Sequence, residues 1–330
     1  MPIQGDNESS RTFLSTKIGD NSFFVDMSWV QSIERTDNLT KQPGNNNLIG
    51  SLTFERANID VYSISDLLKI KPEDQDIMTE RVVIIRKENM RIGLLVNSVS
   101  GIVEIQSDLV FDVPSIANSS LSNLFESIVI SDNDLYLSIS PDFLSGQKEQ
   151  LSHLEDDKAP DLITKSPAHQ NGDATGGAGS NQILIFKVLD SNAEMSKYLF
   201  GMSISQVLQI LEPQEIIGVP GSLDFVYGLI NWRNRPIPVI DLYKRMGLED
   251  SQINDQTRFV VARTLSKGLI ICFPVYFDVN VVKLPLPHEK LVLDSEIDMS
   301  FTKGTFKVED YILVIPDLDK VVFKKIENLN

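Results

Sequence analysis

The stretch FVYGLINWRNRPIPVIDL occupies positions 225–242 and is the most informative segment of the sequence. A Val219-Pro220-Gly221 turn precedes it, and the apolar run Ile237–Ile240 near its end predicts a short β-strand. Between them, the polar cluster Asn231–Arg235 interrupts the apolar pattern. The segment therefore places charged side chains directly beside a predicted strand.

Short β-branched runs on both sides of this segment predict strands. Arg81–Arg86 and Ile92–Val96 form a predicted hairpin across a charged turn, and Phe259–Ala262 with Leu269–Phe273 form a similar one. Many short strands with few helices favour small barrels or sandwiches over a parallel α/β sheet. We predict further strands at Phe13–Ile18, Ser22–Asp26, Asp60–Ile64, Gly101–Ile105, Ser127–Ile130, Asp134–Ile139, Ile183–Leu189, Tyr198–Met202, Val279–Leu284 and Tyr311–Ile315.

Helical periodicity is sparse. In Ser203–Ile210, Ile204, Val207 and Leu208 fall on one helical face after a serine N-cap. Ser28–Ile33 is the counterpart of this segment in the first half. The sequence predicts a short helix at each place.

The two halves repeat each other at an offset of 175 residues, which indicates a duplicated domain of about 140 residues. Surface loops of different length explain a drift of a few residues between the matches. The matching residues are Asp66-Leu67 with Asp241-Leu242, Gly93-Leu94 with Gly268-Leu269, Tyr136 with Tyr311, and Pro141-Asp142 with Pro316-Asp317.

Ser145 to Gln182 separates the halves and contains five glycines and no aromatic residue. Such a segment buries too little apolar surface to offset the entropy of ordering it, so it is predicted to be a flexible linker. The predicted domains are therefore residues 1–144 and 183–330. The first carries a net charge of −10, whereas the linker and the second domain carry −3 each.

Composition excludes several functions. The net charge of −16 argues against nucleic-acid binding, which needs a basic face, and against docking on an anionic membrane surface. No apolar run approaches the roughly 20 residues that span a bilayer, and the first ten residues lack a secretory signal. With one cysteine and three histidines, the chain has no internal disulfide and almost no means of building a Cys/His metal site. A cytoplasmic location follows as the expectation.

Catalytic patterns are weak. No glycine-rich phosphate loop precedes a helix, His153 and His169 lie in the linker, and His288 lies in a proline-rich loop. Cys272 lies inside an apolar strand, where a free cysteine usually packs as a small hydrophobe. Paired carboxylates for glycoside hydrolysis are compatible with so acidic a chain, although solvated acidic faces are the ordinary case. We expect no enzyme and no cofactor.

The 225–242 stretch resembles the CheW family, the adaptor of bacterial chemosensory arrays. The family hallmark is Gly-x-x-Asn-Leu-Arg-Gly followed by a Pro-Val-x-Asp-Leu strand and turn. The residues that fall on those positions without a gap are Gly228, Asn231, Arg233, Pro238, Val239, Asp241 and Leu242. The first half resembles the same family through Arg81–Arg86, Ile92–Ile105 and Leu121–Leu144.

Departures from the family pattern are informative. Asn234 replaces the glycine after the arginine, and asparagine is a common substitute where φ must be positive. Pro274 in the strand after Gly268 cannot donate a ladder hydrogen bond, so that strand end is expected to be altered. In the first half the Asn-Leu-Arg-Gly element is missing, and Ser51–Asn58 stands there with about three extra residues.

The resemblance implies a mainly β fold in which each domain is a pair of small five-stranded, SH3-like barrels with one or two short helices. It also implies a non-catalytic adaptor that couples the regulatory domain of a CheA-type histidine kinase to the cytoplasmic tips of methyl-accepting receptors. Other CheW-like domains are further expected partners, and nucleic acid and membrane insertion are not expected. The adaptor would then work in the cytoplasm, including at membrane-associated receptor arrays.

Arg233 is the main candidate for partner binding, because its planar fork can clamp carboxylates or carbonyl groups. A structural arginine that ties the turn to its own domain is the alternative. Core packing is the favoured role of Trp232, and a helix N-cap or turn that of Asp241. The complete candidate set is Arg233, Asn231, Trp232, Asn234, Arg235, Phe225 and Ile237, with Phe225 and Ile237 as candidates for an apolar groove beside Arg233.

Three hypotheses remain open at the level of the sequence. The first is an adaptor with two CheW-like domains in an array for flagellar chemotaxis or type IV pilus motility, including phototaxis. In the second, the first domain is an acidic spacer or decoy and one domain binds. The third is a small-ligand-binding or hydrolytic β-barrel protein, which a deep polar pocket with converging carboxylates would support.

Overall fold

The computed structural model divides into two compact units that correspond largely, but not at every residue, to the two halves of the chain. It describes residues 10–41, 47–70, 80–88, 90–117, 124–142, 182–188, 197–248, 251–276, 279–283, 289–290 and 296–323. In the following, the first unit and the second unit denote the described residues of the first half and of the second half. The predicted linker lies outside these residues except for Gln182, which begins a strand.

The first unit contains twelve strands in its described residues, because its β-branched and aromatic runs alternate with short polar turns. Short 3-10 turns occupy Thr36–Asn38, Ser107–Leu109 and Ser115–Ala117, and helix α1 spans Ile64–Leu68. The strands are β1 Ser10–Ile18, β2 Asn21–Asp26, β3 Val30–Arg35, β4 Leu39–Lys41, β5 Leu48–Phe54, β6 Ala57–Ser63, β7 Arg81–Lys87, β8 Met90–Val96, β9 Ser98–Gln106, β10 Val110–Asp112, β11 Phe125–Ser131 and β12 Asp134–Ile139.

The second unit has eleven strands among its described residues. Its helices are α2 Leu242–Arg245 and α3 Leu318–Phe323, with 3-10 turns at Ile204–Gln206 and Met299–Phe301. The strands are β13 Gln182–Phe186, β14 Tyr198–Ser203, β15 Val207–Leu211, β16 Val226–Asn231, β17 Pro236–Ile240, β18 Thr257–Arg263, β19 Ile270–Tyr276, β20 Val279–Lys283, β21 Glu289–Lys290, β22 Thr302–Val308 and β23 Tyr311–Pro316.

Each unit consists of two barrel-like sheets with the same strand order. In the first unit the orders are β10-β11-β12-β2-β1-β9 and β3-β7-β8-β6-β5-β4. In the second unit they are β21-β22-β23-β14-β13-β20 and β15-β18-β19-β17-β16. The mainly β prediction and the internal repeat are confirmed, although three of the four sheets carry a short sixth strand beyond the expected five.

The predicted residue matches between the halves are wrong in detail. Gly93 lies inside β8 opposite Ile84, whereas Gly268 lies in a turn before β19 with a φ of +66°. The counterpart of Gly93 is Cys272, which lies opposite Val261 at the same place in the second sheet. The hairpin loops that precede these positions differ in length, so a fixed offset selected the wrong glycine.

The remaining matches are displaced in the same way. Asp241 caps helix α2, but the residue that caps helix α1 is Ser63, and Asp66 lies inside that helix. Tyr136 is the third residue of β12, whereas Tyr311 is the first residue of β23. Likewise Pro141 follows β12, whereas Pro316 ends β23.

Both predicted helices are wrong. Ser203–Ile210 forms one 3-10 turn followed by β15, and Ser28–Ile33 leads into β3. The apolar pattern covered only eight residues, and Ser203 makes no side-chain cap. β15 instead pairs with β18, and an irregularity between Val207 and Gln209 shifts the alternation that resembled a helical face.

Aromatic pairs across the first two strands of each unit anchor its core. Phe13 and Phe24 stack with ring centroids 5.7 Å apart, and Phe186 and Phe200 stack at 5.9 Å. All four side chains are buried. Such pairs add about 0.5–1.5 kcal/mol beyond the burial of their area, so they hold the first hairpin of each unit in place.

A parallel ladder differs between the units. In the first unit β6 pairs with β8 at Val61, Tyr62 and Ser63, and the ladder ends at Leu95. In the second unit β17 and β19 share the single pair Val239–Cys272. Pro274 stands where Leu95 does, and its ring nitrogen has no hydrogen to donate. The expected alteration of this strand end is confirmed.

Candidate functional site

The polar cluster of the 225–242 stretch forms the tight turn between β16 and β17. The Trp232 N–H donates to the Arg235 carbonyl at 2.8 Å, and the Arg235 N–H donates to the Trp232 carbonyl at 3.1 Å. The two central residues, Arg233 and Asn234, have φ of +53° and +56°. A two-residue hairpin with both central φ values positive is a type I′ turn, which matches the twist of the strands. The predicted positive φ of Asn234 is confirmed.

Arg233 occupies this turn at an energetic cost. Asparagine and glycine tolerate the left-handed region, whereas a long side chain there costs about 1 kcal/mol. Arg233, Asn234 and Arg235 are exposed, and Trp232 is buried. The Arg233 guanidinium carbon lies 4.7 Å from the centroid of the Trp232 ring, within the range of a cation–π contact. The turn thus displays a cation that rests on a buried aromatic ring.

Gly228 fixes the strand that leads to the turn. A Cβ atom at this position would lie 2.2 Å from the Ile217 carbonyl oxygen, and φ is +145°. Ile217 and Leu229 exchange backbone hydrogen bonds of 2.9 Å beside it. Because the obstacle is backbone, a side chain at Gly228 would force the strands apart.

Asp241 ends the hairpin as the N-cap of α2, as predicted. Its carboxylate accepts hydrogen bonds from the Lys244 N–H at 3.1 Å, the Ser251 N–H at 3.0 Å and the Tyr227 hydroxyl at 2.7 Å. The carboxylate is buried and fully engaged. Its role is therefore to position the end of the hairpin.

Phe225 and Ile237 are buried, with 2% and 4% of their surface exposed, so the expectation that they line a groove beside Arg233 is wrong. Residues on the inward side of a short strand fill the core, and sequence alternation alone does not reveal which side is inward. The Phe225 ring instead packs 4.2 Å from the Arg245 guanidinium carbon. Asn231 is half-buried at the end of β16.

Arg245 was not predicted as a special residue. Its guanidinium lies between the Phe225 and Phe301 rings, at 4.2 and 4.3 Å, and its Nε donates to the Val321 carbonyl at 2.9 Å. Burial lowers the pKa of this group. A conventional helix-ending arginine gives no sequence signal for such burial. The residue connects α2 to α3 in the second unit.

The first unit contains the same hairpin, which corrects the expectation that this element is missing. β5 and β6 meet at a two-residue turn in which Glu55 and Arg56 have φ of +47° and +68°. Phe54 and Ala57 pair across it, as Trp232 and Arg235 do in the second unit. The turn has no extra residues, so Glu55 stands where the second unit has Arg233.

The same two features flank both turns, a glycine packed against a carbonyl oxygen and a capped helix. A Cβ at Gly50 would lie 2.2 Å from the Thr40 carbonyl oxygen, as one at Gly228 would from Ile217. Each glycine precedes the helix N-cap, Ser63 or Asp241, by the same 13 residues. The Ser63 hydroxyl accepts from the Asp66 N–H at 3.2 Å. The two glycines match between the halves of the sequence, but the arginine that marks the family motif has no counterpart in the first half.

The first unit also holds a groove of about 660 Å³. Asp37, Asp66 and Glu80 line it together with Lys41, and neither histidine nor cysteine does. Its apolar lining comes from Leu39, Leu48, Ile49 and Leu95.

The structure also bears on the expectations for Cys272, for metal sites and for membrane-spanning helices. Cys272 is fully buried and burial raises the pKa of its thiol, which confirms that it packs as a small hydrophobe. In the described part of the chain, no three His, Cys, Asp or Glu side chains cluster as a metal site would require. Among those residues, no helix is long and apolar enough to cross a membrane.

Two copies of a two-sheet β domain, each with an exposed, charged I′ turn and a capped helix behind it, define a tandem β-domain protein. The chain belongs to the family of the CheW-like domain, whose sequence profile matches residues 12–148 and 182–324.

Relatives match the chain over single-domain lengths. The chemotaxis protein CheW of Thermotoga maritima is 28% identical over 137 residues, which cover 42% of this chain and 87% of the relative. The chemotaxis protein CheW of Bacillus subtilis is 36% identical over 74 residues, or 22% of this chain and 47% of the relative. The solved structure of the scaffolding protein TtCheW from Thermoanaerobacter tengcongensis is 24% identical, covers 46% of this chain and 93% of that one, and has a TM-score of 0.36.

Proposed function

We propose that this protein is a non-catalytic adaptor of a bacterial chemosensory array that couples a CheA-type histidine kinase to methyl-accepting receptors. The observation that carries the proposal is the duplicated CheW-like domain, with the Arg233 turn in the second copy. In this proposal residues 1–144 and 183–330 are separate domains tethered by residues 145–182. The array serves flagellar chemotaxis or pilus-based motility, including phototaxis, at the cytoplasmic side of the membrane.

Arg233 is the contact residue of the second domain in this proposal. Its exposed guanidinium is displayed by a turn whose backbone is held by Gly228 and by the Asp241 cap. A strained residue at an exposed turn is typical of a functional position, because ordinary stability favours asparagine or glycine there. A planar guanidinium pairs best with carboxylates or backbone carbonyl groups, so a kinase or receptor surface with such groups fits it.

The first domain has a different specificity or serves as a spacer. Glu55 reverses the charge at the position of Arg233, and it is already within 3.3 Å of Arg91 in its own unit. A surface that attracts Arg233 repels Glu55 at the same position. The two domains are therefore not interchangeable on one partner site.

Co-sedimentation of the full chain with receptor and kinase fragments tests the assignment. Arg233→Glu should abolish most co-sedimentation, because it places a carboxylate against the partner's acceptors. Lys307→Glu is the matched control, since it makes the same charge change on an exposed residue of β22. A folded Arg233→Glu chain that sediments like the wild type would contradict the site, and residual sedimentation would report binding by the first domain.

The small-ligand alternative rests on the groove lined by Asp37, Asp66 and Glu80. Under that hypothesis, Asp66→Asn with Glu80→Gln should remove ligand binding and leave co-sedimentation unchanged. Under the adaptor proposal, these substitutions should change neither measurement.

A further inference from the structure

The turn between β18 and β19 displays an apolar side chain that the core does not use. Leu265 is 62% exposed, which no other large apolar residue in the described part of the chain exceeds. The equivalent turn of the first unit is two residues shorter, because Arg86 pairs with Arg91 there, whereas the counterpart Arg263 pairs with Ile270. Single exposed apolar residues are ordinary, so the surroundings of Leu265 decide what it can do.

Hydrogen bonds hold this turn in one shape. The Thr264 N–H donates to the Leu269 carbonyl at 2.9 Å, and the Leu269 N–H donates to the Thr264 hydroxyl at 2.9 Å. The Asp319 carboxylate of α3 accepts from the N–H groups of Leu265 at 3.2 Å and Ser266 at 3.0 Å. A residue that is already held in place loses little conformational entropy on binding, so Leu265 is prepared to act as an anchor.

Positively charged side chains lie around the turn. The Lys267 ammonium lies 4.5 Å from the centroid of the Phe323 ring at the end of α3. Burial opposes ionisation of Asp319, but hydrogen bonds from the turn and the nearby charge of Lys303 prevail and lower its pKa. The exposed cations of this region are Arg263, Lys267, Lys303 and Lys320, and its carboxylates are Asp319 and Asp317, which pairs with Lys320 at 3.4 Å. The turn 264–269 and these charged residues, named the Leu265 surface, carry four cations against two carboxylates.

The chain itself contains a segment that complements the Leu265 surface. Leu151–Ile163 lies in the predicted linker and outside the described residues. It has four acidic residues and one lysine, which gives a net charge of −3. Its aliphatic residues are Leu151, Leu154, Leu162 and Ile163. The segment therefore offers negative charge for the cations and apolar side chains that can cover Leu265.

The length of the chain allows this segment to reach the surface within one molecule. Gln182, the first residue of β13, lies 19 positions after Ile163. A flexible coil of that length has an r.m.s. end-to-end distance of about 25 Å. A folded domain of about 140 residues has a radius of gyration of about 14 Å, so a tether of this length reaches any of its faces. Tethering also gives the segment a high local concentration.

The first unit repels the same segment. Ile102 on β9 is 62% exposed, like Leu265, but Glu104 lies two positions further along the same strand and is also exposed. Residues 1–144 as a whole carry a net charge of −10. Like charges that face each other disfavour a contact, so the acidic segment prefers the Leu265 surface.

We propose that Leu151–Ile163 binds the Leu265 surface of the second unit in the same chain. Leu265 is the apolar anchor of this contact, and the surrounding cations attract the acidic residues of the segment. Binding withdraws thirteen residues from the free tether, so it changes the distance over which the linker can act. The contact does not involve Arg233, and it is independent of the kinase and the receptor.

Paramagnetic relaxation in the isotope-enriched full chain tests the proposal. Cys272 is the one cysteine of the sequence and is fully buried, so Ser152→Cys supplies a single reactive thiol for a nitroxide label inside the segment. We expect the amide signals of residues 264–269 to lose most of their intensity, because binding brings the label close to the turn. Leu265→Ser should recover much of this intensity by removing the anchor. Asp156→Lys should do so by reversing a charge.

Matched controls make the same changes elsewhere. Ile210→Ser removes an exposed aliphatic residue from β15, and Asp173→Lys reverses a charge in the linker outside the segment. Both should leave the loss of intensity unchanged. An unaffected turn in the labelled chain would overturn the proposal, as would a loss that persists in both Leu265→Ser and Asp156→Lys. A loss that disappears when the labelled chain is diluted with unlabelled chain would also overturn it, because such a contact forms between molecules.

Discussion

The hairpins β5–β6 and β16–β17 have the same backbone and opposite charge. Each has a glycine pressed against a carbonyl oxygen, a type I′ turn and a capped helix behind it. At the first turn position, however, one unit displays Glu55 and the other Arg233. Backbone geometry in this fold is thus separable from the chemistry that it displays. A duplicated domain can therefore change the charge that its turn displays while it keeps the same framework.

The largest expected loss of stability comes from substitution of the two glycines that pack against carbonyl oxygens. Gly50→Ala and Gly228→Ala each place a methyl group 2.2 Å from a backbone oxygen that cannot yield easily. We expect each substitution to lower the free energy of unfolding of its own unit by about 2–4 kcal/mol. Urea unfolding followed by NMR signals of backbone amides in each half of the chain measures the two losses separately.

Gly218→Ala is the control for this experiment, because a Cβ at Gly218 meets no atom within 4 Å. Tolerance of alanine at Gly50 but not at Gly228 would show that the two hairpins are not equivalent. Equal losses would support the shared framework.

A smaller effect distinguishes the two units by the pH dependence of their stability. In the first unit, burial opposes ionisation of Asp26, but hydrogen bonds from Ser28 and the Arg11 guanidinium, at 2.5 Å, prevail and lower its pKa. The second unit has Ser203 at this position. Because the folded pKa lies below the unfolded one, the stabilisation is present above the unfolded pKa and is lost as pH falls through the folded value.

Asp26→Asn should therefore lower the unfolding free energy of the first unit by about 1–2 kcal/mol at neutral pH, and by less in acid. Glu126, also near Arg11, has a pKa raised mainly by burial, and its contribution runs in the opposite direction. Urea unfolding from pH 7 to pH 3 checks the prediction. An identical difference at every pH would contradict it.

The smallest effect separates stability from recognition at the turn. Arg233→Asn should raise the unfolding free energy of the second unit by about 0.5–1 kcal/mol, because asparagine tolerates positive φ better than arginine. Glu55→Asn should do the same in the first unit. Arg235→Asn is the control, since Arg235 is not in the positive-φ region. If Arg233→Asn is also destabilising, the contact with the Trp232 ring outweighs the backbone strain.

Sequence patterns predicted the strands and the duplication because both depend on local alternation and on recurring apolar runs. They matched Gly93 to Gly268 wrongly because the hairpin loops before the two glycines differ in length. Only the strand pairing shows that Cys272 is the counterpart of Gly93. They failed at Ser203–Ile210 because tertiary pairing with β18 overrides an eight-residue periodicity. At the candidate site, the Asp241 cap was predictable from residue type, whereas the burial of Phe225 was not.

The aromatic enclosure of Arg245 has a consequence for synthesis on the ribosome. The guanidinium needs the Phe301 ring and the Val321 carbonyl, which are translated more than fifty residues after it. Until those residues emerge, burying Arg245 would leave a charge without its compensating partners, which is costly. We therefore expect the core of the second unit to close only after α3 has been translated, whereas all described strands of the first unit end by residue 139. In this expectation, the burial of one cation delays the folding of the second half of the chain relative to the first.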